Sequence, residues 1–242
     1  MEQNRHIRAI ILAAGTGSRL RPLTNDRPKP LIEVGGVAII DHVLNAIREV
    51  GVQDIVVVGG YLAEVLHQHL ENHHWGITFV KNPEYTKGNL LTLKAALHKL
   101  EGNILLMNAD HIYPVELSEK FIDFQWEGVK IGCDTDRKLG EDDMKVLLDE
   151  RGYLFRIGKK LENYNAGYIG ITFIPAGWIS HYRSAMEKTL RLYGEMSVVE
   201  QVLGKLAERG TPPLAVELSG FGWSEIDSLD DLRQAEHRLN HQ

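Results

Sequence analysis

Apolar residues recur along this chain as short, nearly unbroken runs separated by amphipathic stretches, and that alternation predicts the architecture. IRAIILA over 7–13 reads as a buried strand, residues 38–50 as an amphipathic helix, and DIVVVGG over 54–60 as a second strand. The rhythm repeats with a helix over 61–71, a strand over 76–81, a helix over 89–100 and the buried strand NILLM over 103–107. Strands and helices alternating through short connections imply a parallel sheet covered on both faces. From about residue 128 the spacing shortens, with strand signals over 130–133, 144–148, 153–157 and 167–174 that look antiparallel. Helices over 176–191 and 197–208, a strand over 214–218, a short strand before residue 228 and a closing helix over 229–239 follow. No linker, repeat or low-complexity tract divides the chain, so a single α/β domain is expected.

In open α/β sheets, ligands sit beyond the carboxyl ends of the strands, so residues just after strands carry the candidate chemistry. The first such place holds Gly15 and Gly17, then Arg19 and Arg21, then Lys29 between Pro28 and Pro30. Glycines admit a close ligand, clustered N–H groups with Arg and Lys suit a polyphosphate, and the prolines restrict the backbone around Lys29 to extended geometry. A dinucleotide fingerprint would need glycine where Leu20 stands, and the Gly-Lys-Ser/Thr ending of a Walker A loop is absent. The second place is Asp110, after the strand over 103–107, either a helix N-cap for Pro114 onward or a metal ligand. The third is Asp227-Ser228 before the last helix, where either residue is an N-cap candidate.

Composition narrows the partners. With 242 residues, 43% apolar and 25% charged, the chain can bury a full core, and its net charge of -6 argues against a nucleic-acid or anionic-membrane surface. The apolar run near the N-terminus is too short for a signal segment, so the protein reads as cytoplasmic, without membrane insertion. Cys133 has no disulfide partner and reads as a small buried apolar residue. His69 and His73 have the i, i+4 spacing of a metal pair, but no glutamate makes an HExxH motif, and with His67 and His74 they read as a solvated helix end, with a structural zinc as the alternative. Glu141, Asp142 and Asp143 read as a solvated loop or cap, and Phe121, Phe124 and Trp178 as core.

The stretch from Leu12 to Leu31 resembles the signature LAAGxGxRLxPxTxxxPKPL of the sugar-phosphate nucleotidyltransferases. The resemblance implies a Rossmann-like three-layer sandwich with a mixed, mostly parallel central sheet. It also implies in-line attack of a phosphorylated acceptor on the α-phosphate of a nucleoside triphosphate, releasing pyrophosphate. On that basis residues 1–127 form the nucleotide-binding half and 128–242 the acceptor-binding and metal-completing half. The nucleotide set it implies is Leu12, Ala13, Ala14, Gly15, Gly17, Arg19, Gly88, Asn89 and Asn108. Arg19 and Lys29 are the catalytic cations, and Asp110 and Asp227 bind Mg²⁺. An acceptor phosphate, with a second pKa of about 6, is already nearly dianionic at neutral pH and needs charge relief rather than a general base.

The compact ending, KGN over 87–89 and NADHIYP over 108–114 look like the small CTP-dependent cytidylyltransferases. Segments over 133–137, 144–161 and 165–173 lean toward those that activate inositol 1-phosphate; phosphocholine, aminoethylphosphonate and hexose 1-phosphates are the alternatives. Lys159, then Lys145, are the candidates for the acceptor phosphate, with a solvated surface role as the other reading of each. A homo-oligomer is compatible with the sequence. A nucleotide-sensing subunit without chemistry is the alternative of a different class.

Overall fold

In β1 (Ile7–Ala13) the side chains of Ile7, Ala9, Ile11 and Ala13 enter one core and those of Ile10 and Leu12 another, the period of two that a strand buried on both faces requires. The computed structural model describes residues 6–122 and 127–239; Phe124 lies outside the described residues. After β1 the chain makes a glycine-rich loop, a 3₁₀ turn at Lys29–Leu31, and a small hairpin of β2 (Glu33–Val34) and β3 (Val37–Ala38). Helix α1 (Ile39–Glu49), β4 (Asp54–Gly59), α2 (Ala63–Asn72), β5 (Thr78–Lys81), α3 (Asn89–Ala95) and β6 (Asn103–Asn108) then supply the expected alternation. β1 lies between β4 and β6 and β5 flanks β4, all parallel.

After β7 (His111–Ile112) and α4 (Val115–Phe121) come β8 (Lys130–Asp134), β9 (Lys145–Leu148), β10 (Leu154–Gly158) and β11 (Ala166–Ile174). β11, buried along its whole length, runs antiparallel to β6, β8 and β9 and so joins the two halves into one sheet, with nine strands among the described residues. Helices α5 (Ile179–Tyr193) and α6 (Val199–Glu208), β12 (Leu214–Glu217), β13 (Ser224–Glu225) and α7 (Leu229–Leu239) complete the chain. β12 returns parallel to β8, an exception to the antiparallel character expected of this half. One face of the sheet is covered by α1, α2 and α4, and the other by α3, α5 and α6. This is an α/β sandwich with a mixed, mostly parallel central sheet.

The helix expected over 89–100 stops at Ala95 and tightens into a 3₁₀ turn at Leu97–Lys99. Arg183 of α5 donates to the carbonyls of Leu97 and Leu100, satisfying groups that a continuing helix would have bonded itself. Phe121 is fully buried as expected, Trp178 packs at the margin of the second core, and Cys133 is buried with burial pushing its thiol pKa far above the usual range. Among the described residues, no helix is long and apolar enough to cross a membrane.

Candidate active site

The loop after β1 is folded back on itself. Gly17 adopts a left-handed conformation, φ +60°, and a Cβ there would come within 2.8 Å of the Lys29 Cβ. The Thr24 hydroxyl donates to the Gly17 carbonyl at 2.9 Å, and the Tyr61 hydroxyl lies within reach of the Thr24 and Asn25 carbonyls, at 2.9 and 3.0 Å. Leu20 is wholly buried in a satellite core with Ile32, Val34, Ile39, Ile112 and Ile226. The residue that spoils a dinucleotide fingerprint is therefore the anchor of this loop. Leu12, Ala13 and Ala14 are buried beneath it, and Gly15 is exposed.

Lys29 is directed inward, and only 8% of it is exposed. Its Nζ donates to Asp110 Oδ2 at 2.8 Å and to Asp227 Oδ1 at 2.6 Å. Arg19, half exposed, donates to Asp227 Oδ2 at 2.6 Å and to Asp142 Oδ2 at 3.1 Å. The four residues expected at the reaction centre thus meet in one ion-paired cluster. Burial works against the Lys29 charge, but the two carboxylates outweigh it and its pKa is raised. Burial likewise opposes the Asp110 and Asp227 charges, but Lys29, with His111 at Asp110 and Arg19 at Asp227, outweighs it, so both pKa values are lowered.

What brings Asp227 to Asp110 is a two-rung ribbon. β13 pairs antiparallel with β7, with Glu225 opposite His111 and Ser224 opposite Ile112, and the Ile226 amide donates to the Asp110 carbonyl at 2.9 Å. The capping alternatives are resolved here. Ser228 and Asp231 exchange the reciprocal bonds of a capping box at the start of α7, which frees the Asp227 carboxylate to face the cations. Asp110 does not cap α4, whose N-cap position is Pro114 with no side-chain cap.

Behind Asp110 lies a layer that the sequence did not announce. His111, 3% exposed, places Nδ1 2.7 Å from Asp110 Oδ1 and stacks on Trp223, with ring centroids 5.6 Å apart and planes 8° apart. Burial pushes the Glu225 carboxyl up to about 7, with Asp110 and Asp227 adding to the effect and His111 opposing it. Burial lowers the affinity of His111 for a proton, but Glu225 and Asp110 reverse this and raise its pKa. The Trp223 indole donates to Asp134 Oδ2 at 2.6 Å, and the Arg137 guanidinium lies over the indole ring at 4.6 Å from its centroid. Gly170, φ +74°, sits where the β11 register shifts between Tyr168 and Thr172, and a Cβ there would lie 2.9 Å from His111 Nε2 and 3.1 Å from Asn108 Nδ2. This irregularity gives the histidine and Asn108 their room.

The remaining expected residues are further from the carboxylates' direct contacts. Gly88 donates its amide to the Glu195 carbonyl in the 3₁₀ turn before α6, and Asn89 Oδ1 accepts from the Val199 amide at the start of α6, so both tie the start of α3 to that region. Lys145 is buried and donates to the Gly140 and Lys159 carbonyls at 2.6 and 2.9 Å. Lys159 is exposed. Glu200, in the first turn of α6 and 7% exposed, is near enough to Lys159, Asp110 and His111 to feel their charges. Its isolation from any sequence motif hid it.

The donor set fits a hard divalent cation. Two carboxylates converge on a single ammonium that stands where a metal charge would stand, and their hard oxygen donors are of the kind that suits Mg²⁺.

Residues 9–135 match the model of the MobA-like NTP transferase domain. The chain is 32% identical to CTP:phosphoglutamine cytidylyltransferase of Campylobacter jejuni, over 93% of this chain and 97% of that protein. It is 39% identical to 2-aminoethylphosphonate cytidylyltransferase of Lancefieldella rimae, over 95% of this chain and 92% of that protein. The solved inositol-1-phosphate CTP transferase from T. maritima superposes with a TM-score of 0.82 at 22% identity, covering 98% of both chains, a likeness of fold.

Proposed function

The chain belongs to the MobA-like NTP transferase family, and we propose that within it this protein transfers CMP from CTP to a small phosphorylated acceptor and releases pyrophosphate. The observation that carries this reading is the Lys29 ammonium gripped by Asp110 and Asp227 at the strand ends, beside the glycine-rich loop. Two polyanions must approach each other in line, so the barrier is mainly electrostatic, and fixed cations lower it without a nucleophilic side chain.

In this reading the backbone from Leu12 to Gly17 receives the nucleotide, with Gly88, Asn89 and Asn108 on the base side. Arg19 turns from Asp227 and Asp142 to the triphosphate, and Lys29 neutralises the reacting phosphates. Asp110 and Asp227 would hold Mg²⁺, which supplies charge neutralisation at the α-phosphate. His111 and Trp223 fix the Asp110 carboxylate from behind. Lys159 receives the acceptor phosphate, and Lys145 shapes the floor of that subsite through its two carbonyl bonds. Residues 1–127 supply the nucleotide half and 128–242 the acceptor-binding and metal-completing half of one domain. A nucleoside triphosphate substrate goes with a cytoplasmic location.

For the acceptor, inositol 1-phosphate follows from the sequence resemblance. A second reading, an acceptor carrying an amine, draws on Glu200, an acidic group buried in the first turn of α6 and near enough to Lys159 to feel its charge. Pyrophosphate release with Mg²⁺ tests both, using CTP, UTP, dTTP, GTP and ATP against inositol 1-phosphate, phosphocholine, aminoethylphosphonate and hexose 1-phosphates. Turnover confined to CTP with one small acceptor supports the proposal. Nucleotide binding with no turnover across the grid favours the sensing alternative.

A further inference from the structure

By sequence the histidine-rich end of α2 is a solvated helix end, and for two of its members the structure gives a different account. His67 stacks on Phe79 at 4.5 Å, and His74 contributes no ligand atom to the cluster formed by its neighbours. His69 and His73 instead converge with Asp41, which α1, a helix on the same face, presents in its first turn. Ligand atoms of Asp41, His69 and His73 lie within 4.8 Å of one another. His69 Nε2 is 2.9 and 3.1 Å from the two Asp41 oxygens, and the side chains of this pair are 21% and 12% exposed.

Proton accounting then distinguishes a ligand set from a simple ion pair. His73 Nδ1 lies 2.8 Å from the His69 carbonyl, which can only accept, so Nδ1 carries the proton and Nε2 keeps a free lone pair. A backbone carbonyl on the far nitrogen is how metal-binding histidines are usually oriented. The cluster sits at the carboxyl end of α2, where the helix dipole favours a cation. It opens into a cleft of about 610 Å³ whose other charged lining groups, Arg27 and Glu33, pair with each other at 3.2 Å. That cleft leaves space for a water as a fourth ligand.

We infer that Asp41, His69 and His73 form a second divalent-cation site, of the Zn²⁺ class, that ties α1 to α2. Two imidazoles and one carboxylate suit a borderline transition metal rather than Mg²⁺, and three protein ligands with one open position are within zinc's repertoire. On binding, the metal takes the place of the proton between His69 and Asp41, and His69 carries its proton on Nδ1 instead. The site adjoins Leu31, at the end of the turn that begins with Lys29, so it braces the wall behind the reaction centre.

The test uses untagged, chelator-treated protein carrying Asp227→Asn, so that the carboxylates at the strand ends contribute less to metal binding. Co²⁺ is titrated by its visible absorption, Zn²⁺ by competition, and thermal unfolding is followed with and without Zn²⁺. The expected result is one Co²⁺ per chain, displaced by Zn²⁺, with Zn²⁺ raising Tm. Adding His73→Ala should weaken binding at least about tenfold, since even outer-shell partners of a metal are worth that much, and abolish the Tm rise. Asp41→Asn, nearly isosteric, should do the same, and His74→Ala should change neither. Absence of a stoichiometric Co²⁺ band, or equal affinity after His73→Ala and Asp41→Asn, overturns the inference.

Discussion

Two clusters of acids and bases in this protein are built in opposite ways. The carboxylates at the strand ends already hold a cation, Lys29, and depend on segments far apart in sequence: the loop after β1, the ribbon of β7 with β13, the irregularity in β11 and the cap of α7. The Asp41, His69 and His73 cluster needs only two neighbouring helices and contains no lysine or arginine of its own. Hard oxygens around a side-chain ammonium suit the exchangeable Mg²⁺ proposed for the strand ends, whereas mixed nitrogen and oxygen ligands on two helices suit a resident ion. Damage to the long-range supports should therefore reach the first cluster and leave the second alone.

The largest expected effect comes from Lys29→Ala. If Lys29 neutralises the reacting phosphates as proposed, its loss should lower turnover by roughly a hundredfold or more, read as pyrophosphate release. The same substitution removes the internal competitor for Asp110 and Asp227, so Mg²⁺ affinity without nucleotide, measured by calorimetry, should rise. Cobalt binding at the helix cluster should not change. Turnover within a few-fold of wild type would remove Lys29 from the chemistry.

How far the sequence led differs between these clusters for a physical reason. The parallel half was legible because each of its strands is a local apolar run, and period-two burial is written directly into residues such as those of β1. Arg19, Lys29, Asp110 and Asp227 were legible through a long motif and their order in the chain, and they do meet. The ribbon that makes them meet pairs two residues with two others far downstream, which leaves no local trace. His111, Glu225 and Glu200 look in sequence like any polar residue at an element's end. Asp41 sits in an ordinary amphipathic helix, so the histidines on α2 gave no hint of a third ligand.

Gly170→Ala probes the β11 irregularity. The new methyl would need a left-handed backbone, φ +74°, and would press on His111 Nε2 at 2.9 Å. Backbone strain of this kind costs about 1–3 kcal/mol, and a displaced Asp110 partner should lower turnover by about tenfold to a hundredfold. Unfolding and pyrophosphate release measured on one preparation would check both. Loss of stability with unchanged kcat would show that His111 does not position Asp110.

Asp134 supports the same layer from the end of β8. Burial opposes its charge, but the Trp223 indole and the amides of Asp136 and Arg137 outweigh it, so its folded pKa lies below the ordinary value of about 3.9. Its charged form therefore contributes stability above about pH 4, and that contribution is lost as pH falls through the folded value. Asp134→Asn should lower stability by about 1 kcal/mol near neutrality, the difference between charged and neutral hydrogen bonds. The Tm gap between wild type and variant should narrow as pH falls from about 5 toward 3; a constant gap would mean that the carboxylate charge contributes nothing there.

The smallest effect is expected from Asp231→Ala. Asp231 Oδ2 accepts from the amides of Asp227 and Ser228 and from the Ser228 hydroxyl, holding the start of α7 and the backbone on which Asp227 rides. Loss of a capping partner costs about 0.5–2 kcal/mol, and the lower end is expected because the Ser228 hydroxyl remains as a cap. For a chain of this size that is a fall of about 1–4 °C in Tm. Because the loss falls on the backbone next to the carboxylate proposed to hold Mg²⁺, apparent Mg²⁺ affinity should weaken more than the stability change alone would suggest. Equal Mg²⁺ dependence in Asp231→Ala and wild type would mean that the β7 and β13 ribbon, with the Ile226 amide bonded to the Asp110 carbonyl, fixes Asp227 without help from α7.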